Sequence, residues 1–347
     1  MRGSSVGNLG VVGALTMGVS VVGCFPEDRA SAVVDPARRD GGSSSGGGEF
    51  DGGAGGGVAG LPAAARRIDE ASAVTARVGE GAWHLWVAGR WGLEAVHDPW
   101  SGASASPAEA LALGPIADIA WDCAAQALWV LLEAGGIAIL DGSLTWSTAV
   151  VLGGAPVALA VTDQRVFVAD RDLGLFAFDR GPAGGVGALH ASSSLRASRL
   201  VATPVGLFAA AVDRPLGPTV VHLDDALTEL HAWRPAAGTA PVGLGYGPDG
   251  AVYVVDGGPC VTQFDNPEHR QGLATPDRTF CRPGRAYHAV LPTDDSDGYV
   301  AHEGGGIDVF REVSTVEDHV APAHVLAVAT PGPAPPAPRF LAHGWSP

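Results

Sequence analysis

The chain has 347 residues, 46% of them hydrophobic, with 50 Gly, 26 Pro and a formal net charge of -16, a balance that makes nucleic acid a poor partner because affinity there rests on neutralising phosphates. All 21 basic residues are Arg, which excludes Schiff-base catalysis on a lysine and the P-loop and kinase lysines within this chain. Abundant Gly and Pro suit short strands joined by tight turns better than helices.

Residues 1–23 carry a single charge, Arg2, ahead of an uncharged apolar run that ends in VVGC. The run is diluted by Gly and Ser and stops at a cysteine instead of a basic stop-transfer flank, so it reads as a secretory leader and not as a spanning helix. Removing it takes away Arg2 and no acid, which moves the charge from -16 to -17. Val21, Val22, Gly23 and Cys24 resemble the lipobox of bacterial lipoproteins, where the leader is cleaved before a cysteine that is then acylated. That resemblance implies a lipid anchor on Cys24, with ordinary secretion as the alternative, and Phe25 in the next position implies the outer membrane of a cell with two membranes.

Residues 24–66 follow as a Gly/Ser-rich tether with too little apolar side chain to offset the entropy of ordering it. Within it Gly42, Ser44 and Gly46 match the G-x-S-x-G pattern of serine hydrolases. That pattern needs a strand before it and a helix after it, and neither is expected there.

From residue 67 to 347 the chain repeats. An aromatic residue followed by small or β-branched apolar residues opens WVAG at 86, WVLL at 129, FVAD at 167, FAAA at 208, YVVD at 253, YVAH at 299 and FLAH at 340. Each of the first six is followed by a turn and a second apolar run, which is a β-hairpin. Another apolar run precedes each hairpin, as in PVALAVTD and PVGLGYGPDG, and a more variable one follows, as in LTELHAWRP. Four strands in each repeat of roughly 40–45 residues predict an all-β fold, a β-propeller of seven blades with the last one incomplete. The aromatic residues are expected to be buried between blades on the second strands. In the seventh repeat AHVLAVAT supplies a first strand and PRFLAHG a second before the chain ends. Residues 62–70, a weak strand former, are one candidate to complete that blade, and a thin seventh blade is the equal alternative.

Phe167, Val168, Ala169 and Asp170, then Gly174, Leu175 and Asp179, resemble the LVIVD-type propeller repeats of bacterial and archaeal surface proteins; Tyr253–Asp256 with Asp265, and Tyr299–Ala301 with Gly306 and Ile307, match in part. The resemblance covers about residues 70–345, implies the fold, and carries no catalytic motif to transfer.

Several residue patterns suggest chemistry. Gly245, Gly247 and Gly250 spell the dinucleotide fingerprint, but a strand follows where that motif needs a helix. The stretch TDDSDG at 293–298 resembles half of a calcium loop, with Thr293 where the first Asp should be. His302 and His343 hold the position that Asp170 and Asp256 hold in other repeats, at the ends of second strands where binding loops are displayed. These four, with Arg90, Trp91 and Arg171, form the candidate binding face. No metal and no cofactor is assigned. Metal-binding, lactonase-like propellers use Asn and acidic ligands around the channel, and this chain has only Asn8 and Asn266.

With Cys24 acylated, Cys260 and Cys281 fall on the third and fourth strands of the fifth repeat, so a disulfide is expected between them in an oxidising compartment, leaving Cys123 as a buried thiol. Two function classes remain. One is a lipid-anchored binding or scaffold module for a protein, glycan or envelope component. The other is a propeller-type hydrolase or isomerase with its site on the axial face. The missing lysine and scarce Asn favour the first.

Overall fold

The computed structural model describes residues 71–326, apart from 80–81, 90–91, 98–106, 112–114, 123–124, 126, 141–145, 152, 182–184, 216, 237–239, 293–297, 303–305 and 312–323. Cys24, the tether with Gly42, Ser44 and Gly46, Arg90, Trp91, Cys123, the calcium-like residues 293–297, Phe340 and His343 therefore lie outside the described residues.

The first sheet is β1 (Ala71–Gly79), β2 (Ala82–Gly89), β3 (Gly92–His97) and β4 (Pro107–Leu111); the second is β5 (Ile116–Asp122), β6 (Ala127–Leu132), β7 (Gly136–Leu140) and β8 (Trp146–Val151). The third is β9 (Pro156–Val161), β10 (Arg165–Asp170), β11 (Gly174–Arg180) and β12 (Val186–Ser193), and the fourth is β13 (Ala197–Thr203), β14 (Gly206–Ala211), β15 (Thr219–Leu223) and β16 (Glu229–Pro235). The fifth repeat supplies β17 (Gly243–Tyr246), β18 (Val252–Val255), β19 (Cys260–Phe264), the short β20 (Gly272–Ala274) and β21 (Arg278–Cys281). The last sheet is β22 (Tyr287–Pro292), β23 (Gly298–His302), β24 (Gly306–Phe310) and β25 (His324–Leu326).

In each sheet four strands form an antiparallel meander, and the first strands lie side by side in the sequence β1, β5, β9, β13, β17, β22. β22 comes back against β1, so the ring is a β-propeller closed on six sheets among the described residues. The expected seventh blade is corrected by strand pairing. AHVLAVAT does not open a new blade: its His324–Leu326 pairs with Ile307–Val309 as the outermost strand of the sixth sheet. A fourth strand completes that sheet and protects its third, which a free first strand would not do.

The core lies between neighbouring sheets. Phe167 and Ala169 pack with Leu207, Ala209 and Val221 of the fourth sheet, whereas Val166 and Val168 pack with Trp129 and Leu131 of the second. Alternate residues of one strand thus face opposite neighbours. This explains why second strands read as continuous apolar runs. The aromatic residues at 86, 129, 167, 208, 253 and 299 sit on β2, β6, β10, β14, β18 and β23, and all six are buried, as expected.

Two devices were not legible in the repeat pattern. β1, β5, β9, β13 and β22 each shift register by one residue near their start, a recurring bulge that re-aims the side chains beside it. Between β19 and β21 the chain also leaves the fifth sheet, and β20 pairs in parallel with β16 as a fifth strand of the fourth sheet. Arg270 organises this strap: it donates to the Asp265 and Thr275 carbonyls at 3.0 and 2.8 Å, pairs with Asp277, and lies 5.3 Å over the Phe264 ring. The expected Cys260–Cys281 disulfide closes the strap at its base, between paired residues of β19 and β21.

The glycine fingerprint also has a packing explanation. A Cβ on Gly245 would lie 2.6 Å from the Val290 carbonyl oxygen and 2.7 Å from Pro292 Cδ, so β17 approaches β22 as closely as a bare backbone allows. Gly245→Ala is expected to destabilise the ring by about 1–3 kcal/mol through overpacking. Urea denaturation checks this, and an unchanged midpoint would contradict it.

Candidate functional site

In a four-stranded antiparallel sheet the end of the second strand, the start of the first and the end of the fourth share one edge. In the closed ring these edges make one face. Asp170 ends β10 on this face, 1% exposed; the backbone N–H groups of Asp172 and Leu173 donate to its Oδ1 at 2.8 and 2.9 Å. Asp256 follows β18, and the Gly258 N–H donates to its Oδ1 at 2.9 Å. Both carboxylates close the turn after the second strand, the local chemistry that makes Asp a turn residue. Arg171 is exposed in the β10–β11 turn. Thus the structure places Asp170, Arg171 and Asp256 on the expected face, with turn-capping roles for the two acids.

His302 ends β23 on the same face and belongs to a further arrangement, the most strongly built polar cluster among the described residues. At its centre is Asp308 on β24, fully buried, in a position where the equivalent residues of β7 and β11 are Ala138 and Phe176. Arg282 Nη1 donates to Asp308 Oδ1 at 2.7 Å, Arg285 Nε lies 3.3 Å from Oδ2, and the Tyr287 hydroxyl donates to Oδ2 at 2.8 Å. His302 Nε2 lies 3.7 Å from Oδ1. Burial, and after it the Asp308 charge, pushes the Tyr287 hydroxyl pKa up, so it stays a donor.

The two arginines come from the connection between the fifth and sixth sheets. Residues 282–285 read RPGR, a tight turn in which the Arg285 N–H donates to the Arg282 carbonyl. Gly284 takes φ 80°, which a side chain would strain. The same connection is tied to the fifth sheet by Arg282 N–H to the Pro259 carbonyl and Tyr287 N–H to the Gly258 carbonyl, each 2.9 Å.

A second ionisable site lies at the ring axis. Asp118 follows the β5 bulge and reaches the next sheet: the Leu159 N–H of β9 donates to its Oδ2 at 2.7 Å, and the Ile119 N–H to Oδ1 at 2.9 Å. Burial pushes its pKa up to about 7, while the Arg199 charge and the two N–H groups pull it back. Arg199 holds the equivalent post-bulge position on β13, two sheets away. On the opposite face Asp122 clamps the second and third sheets, with Arg180 Nη1 at 2.5 Å from Oδ2 and Trp129 Nε1 donating to the same oxygen at 3.2 Å. Arg180 stacks 5.2 Å over the Trp129 ring.

Asp170, Asp256 and His302 do not come together at a shared ligand position: Asp170 ends β10 and Asp256 follows β18, in different sheets, and His302 is engaged beside Asp308. No group of three or more His, Cys, Asp or Glu among the described residues could hold a metal ion. Sequence reasoning missed Asp118, Asp308, Arg282 and Arg285. The signal was present as an acid inside each of the apolar runs IADIAWD and GIDVF, since a buried charge must find partners.

No family model matches the chain, and no curated protein matches it. The fold resembles a chain in the crystal structure of a nidogen/laminin complex, with TM-score 0.55, 13% identity, and coverage of 75% of this chain and 97% of that one. It also resembles the Pan2 WD40 domain of Neurospora crassa, with TM-score 0.52, 16% identity, and coverage of 74% of this chain and 81% of that one. At these identities the likeness shows a β-propeller fold.

Proposed function

We propose that this protein is a binding or scaffold module: a β-propeller held at a bacterial cell envelope by a lipid on Cys24 and presented on the Gly/Ser tether. The observation that carries the reading is the use to which the ring puts its ionisable side chains. Asp170 and Asp256 cap turns, and Asp118, Asp122 and Asp308 join one sheet to the next or to its connection. Such a rigid frame leaves its turns to vary without cost to the core. The face at the ends of the second strands, with exposed Arg171, Asp172 and Leu173, is the surface for the partner.

The fold likeness to a chain solved in a nidogen/laminin complex supports a protein as the partner. The disulfide supports an oxidising compartment, and VVGC, Phe25 and the similarity to LVIVD-type repeats support an outer-membrane lipoprotein. Cys24→Ser tests the anchor: the substituted protein is expected in the soluble fraction after lysis and the parent protein in the membrane fraction. Equal retention of both would place the attachment elsewhere.

A further inference from the structure

The two buried arginine–aspartate clamps differ by one guanidinium. At Asp122 a single arginine, Arg180, does the structural work, with its side chain 12% exposed and covered by Trp129. At Asp308 there are two arginines for one carboxylate, and both are more open to solvent, Arg282 at 30% and Arg285 at 24%. Among the described residues the charged groups acting on the Tyr287 hydroxyl are Asp308, Arg282 and Arg285, two cations against one anion. Asp308 already accepts from both arginines and from Tyr287. Among the described residues one positive charge is therefore left over, in a chain whose net charge is -16.

That surplus is fixed in place. The RPGR turn and its two backbone ties hold both arginines on the connection between the fifth and sixth sheets, and the Asp308 carboxylate gathers their inner N–H groups. A guanidinium fork held this way is pre-organised for a planar oxyanion, which it can meet with parallel N–H donors. A single residual charge matches a monoanion, a carboxylate, better than a dianionic phosphate.

We propose that Arg282 and Arg285 form a carboxylate-binding subsite that receives an acidic side chain of a protein partner; this deepens the binding-module reading and rests on it. Asp308 and Tyr287 position the two guanidiniums and do not themselves meet the ligand.

The test uses the mature chain with Cys24→Ser and a capped Glu-rich peptide, titrated by calorimetry against sodium chloride and inorganic phosphate of matched ionic strength. The peptide is expected to bind saturably. Arg282→Lys/Arg285→Lys, which keeps the positive charge beside Asp308 but loses the fork, is expected to weaken binding at least 10-fold while circular dichroism shows the variant still folded at the titration temperature. Arg196→Lys, at an exposed pair with Asp213, serves as the control and is expected to leave binding unchanged. Peptide binding that is absent, equal in the double lysine variant, or weaker than phosphate binding overturns the proposal. If partner cross-linking from the same face persists in that case, the subsite fails and the binding-module reading stands.

Discussion

Replacing Asp308 with alanine is expected to lower the unfolding free energy by about 3–5 kcal/mol, because it strands two guanidiniums and a tyrosine hydroxyl around an empty buried position. For a domain of this size that corresponds to a fall in melting temperature on the order of 10 °C. The buried geometry sets the scale: Asp308 is fully buried and bridges the third strand of the sixth sheet to the connection from the fifth. Asp213→Ala makes the comparison, since its pair with Arg196 is 3.1 Å long but about half exposed on both sides, and its loss is expected to cost less than about 1 kcal/mol. Equal effects of the two substitutions in thermal denaturation would contradict the clamp.

The second large effect is a dependence of stability on pH at Asp118. An aspartate ionises near 3.8 when exposed, and here the folded value is pushed up to about 7. Below the unfolded value both states are protonated and the group carries no penalty. As pH rises through 7 the unfolded chain gives up its proton first, so the folded state loses stability, by roughly 4 kcal/mol in total. Asp118→Asn removes the titration. The amide oxygen can still accept the Leu159 N–H but no longer serves Ile119 as well, a loss of about 1 kcal/mol. The variant is therefore expected to be less stable than the parent near pH 4 and at least as stable near pH 8. Urea midpoints measured across that range check the crossing; parallel curves would show that Asp118 does not titrate there.

Sequence and structure part company at particular residues, and the reasons are physical. The six hairpins were legible because period-2 burial on both faces forces long apolar runs, and because one large aromatic residue fills the wedge between sheets on each second strand. Cys260 and Cys281 were legible because the repeat register sets third and fourth strands opposite each other. The blade count was not. The FLAH match at 340 looks like the other six, but strand pairing spends His324–Leu326 on the sixth sheet and so removes the first strand a seventh would need.

The polar architecture was legible only in part. Asp170 and Asp256 were found from their repeat position, and their capping role follows from turn chemistry. His302 was found too, but its neighbour Asp308 is set by a pairing across the sheet and by arginines from a connection 26 and 23 residues earlier in the chain. Such partners have no fixed spacing to search for. The β20 strap was hidden for a similar reason: three residues pair with a strand of another repeat, and nothing in GLA announces the exchange.

The proposed capture of a partner by the face at the ends of the second strands is open to a direct test. A photo-cross-linking residue at Arg171, in the exposed β10–β11 turn on that face, compares directly with one at Gln164, in the exposed β9–β10 turn on the other. Both would be carried by the full chain in intact envelopes. One discrete cross-linked product is expected from position 171 and none from position 164. A product from 164 alone, or no discrete product from 171, would contradict the proposed capture.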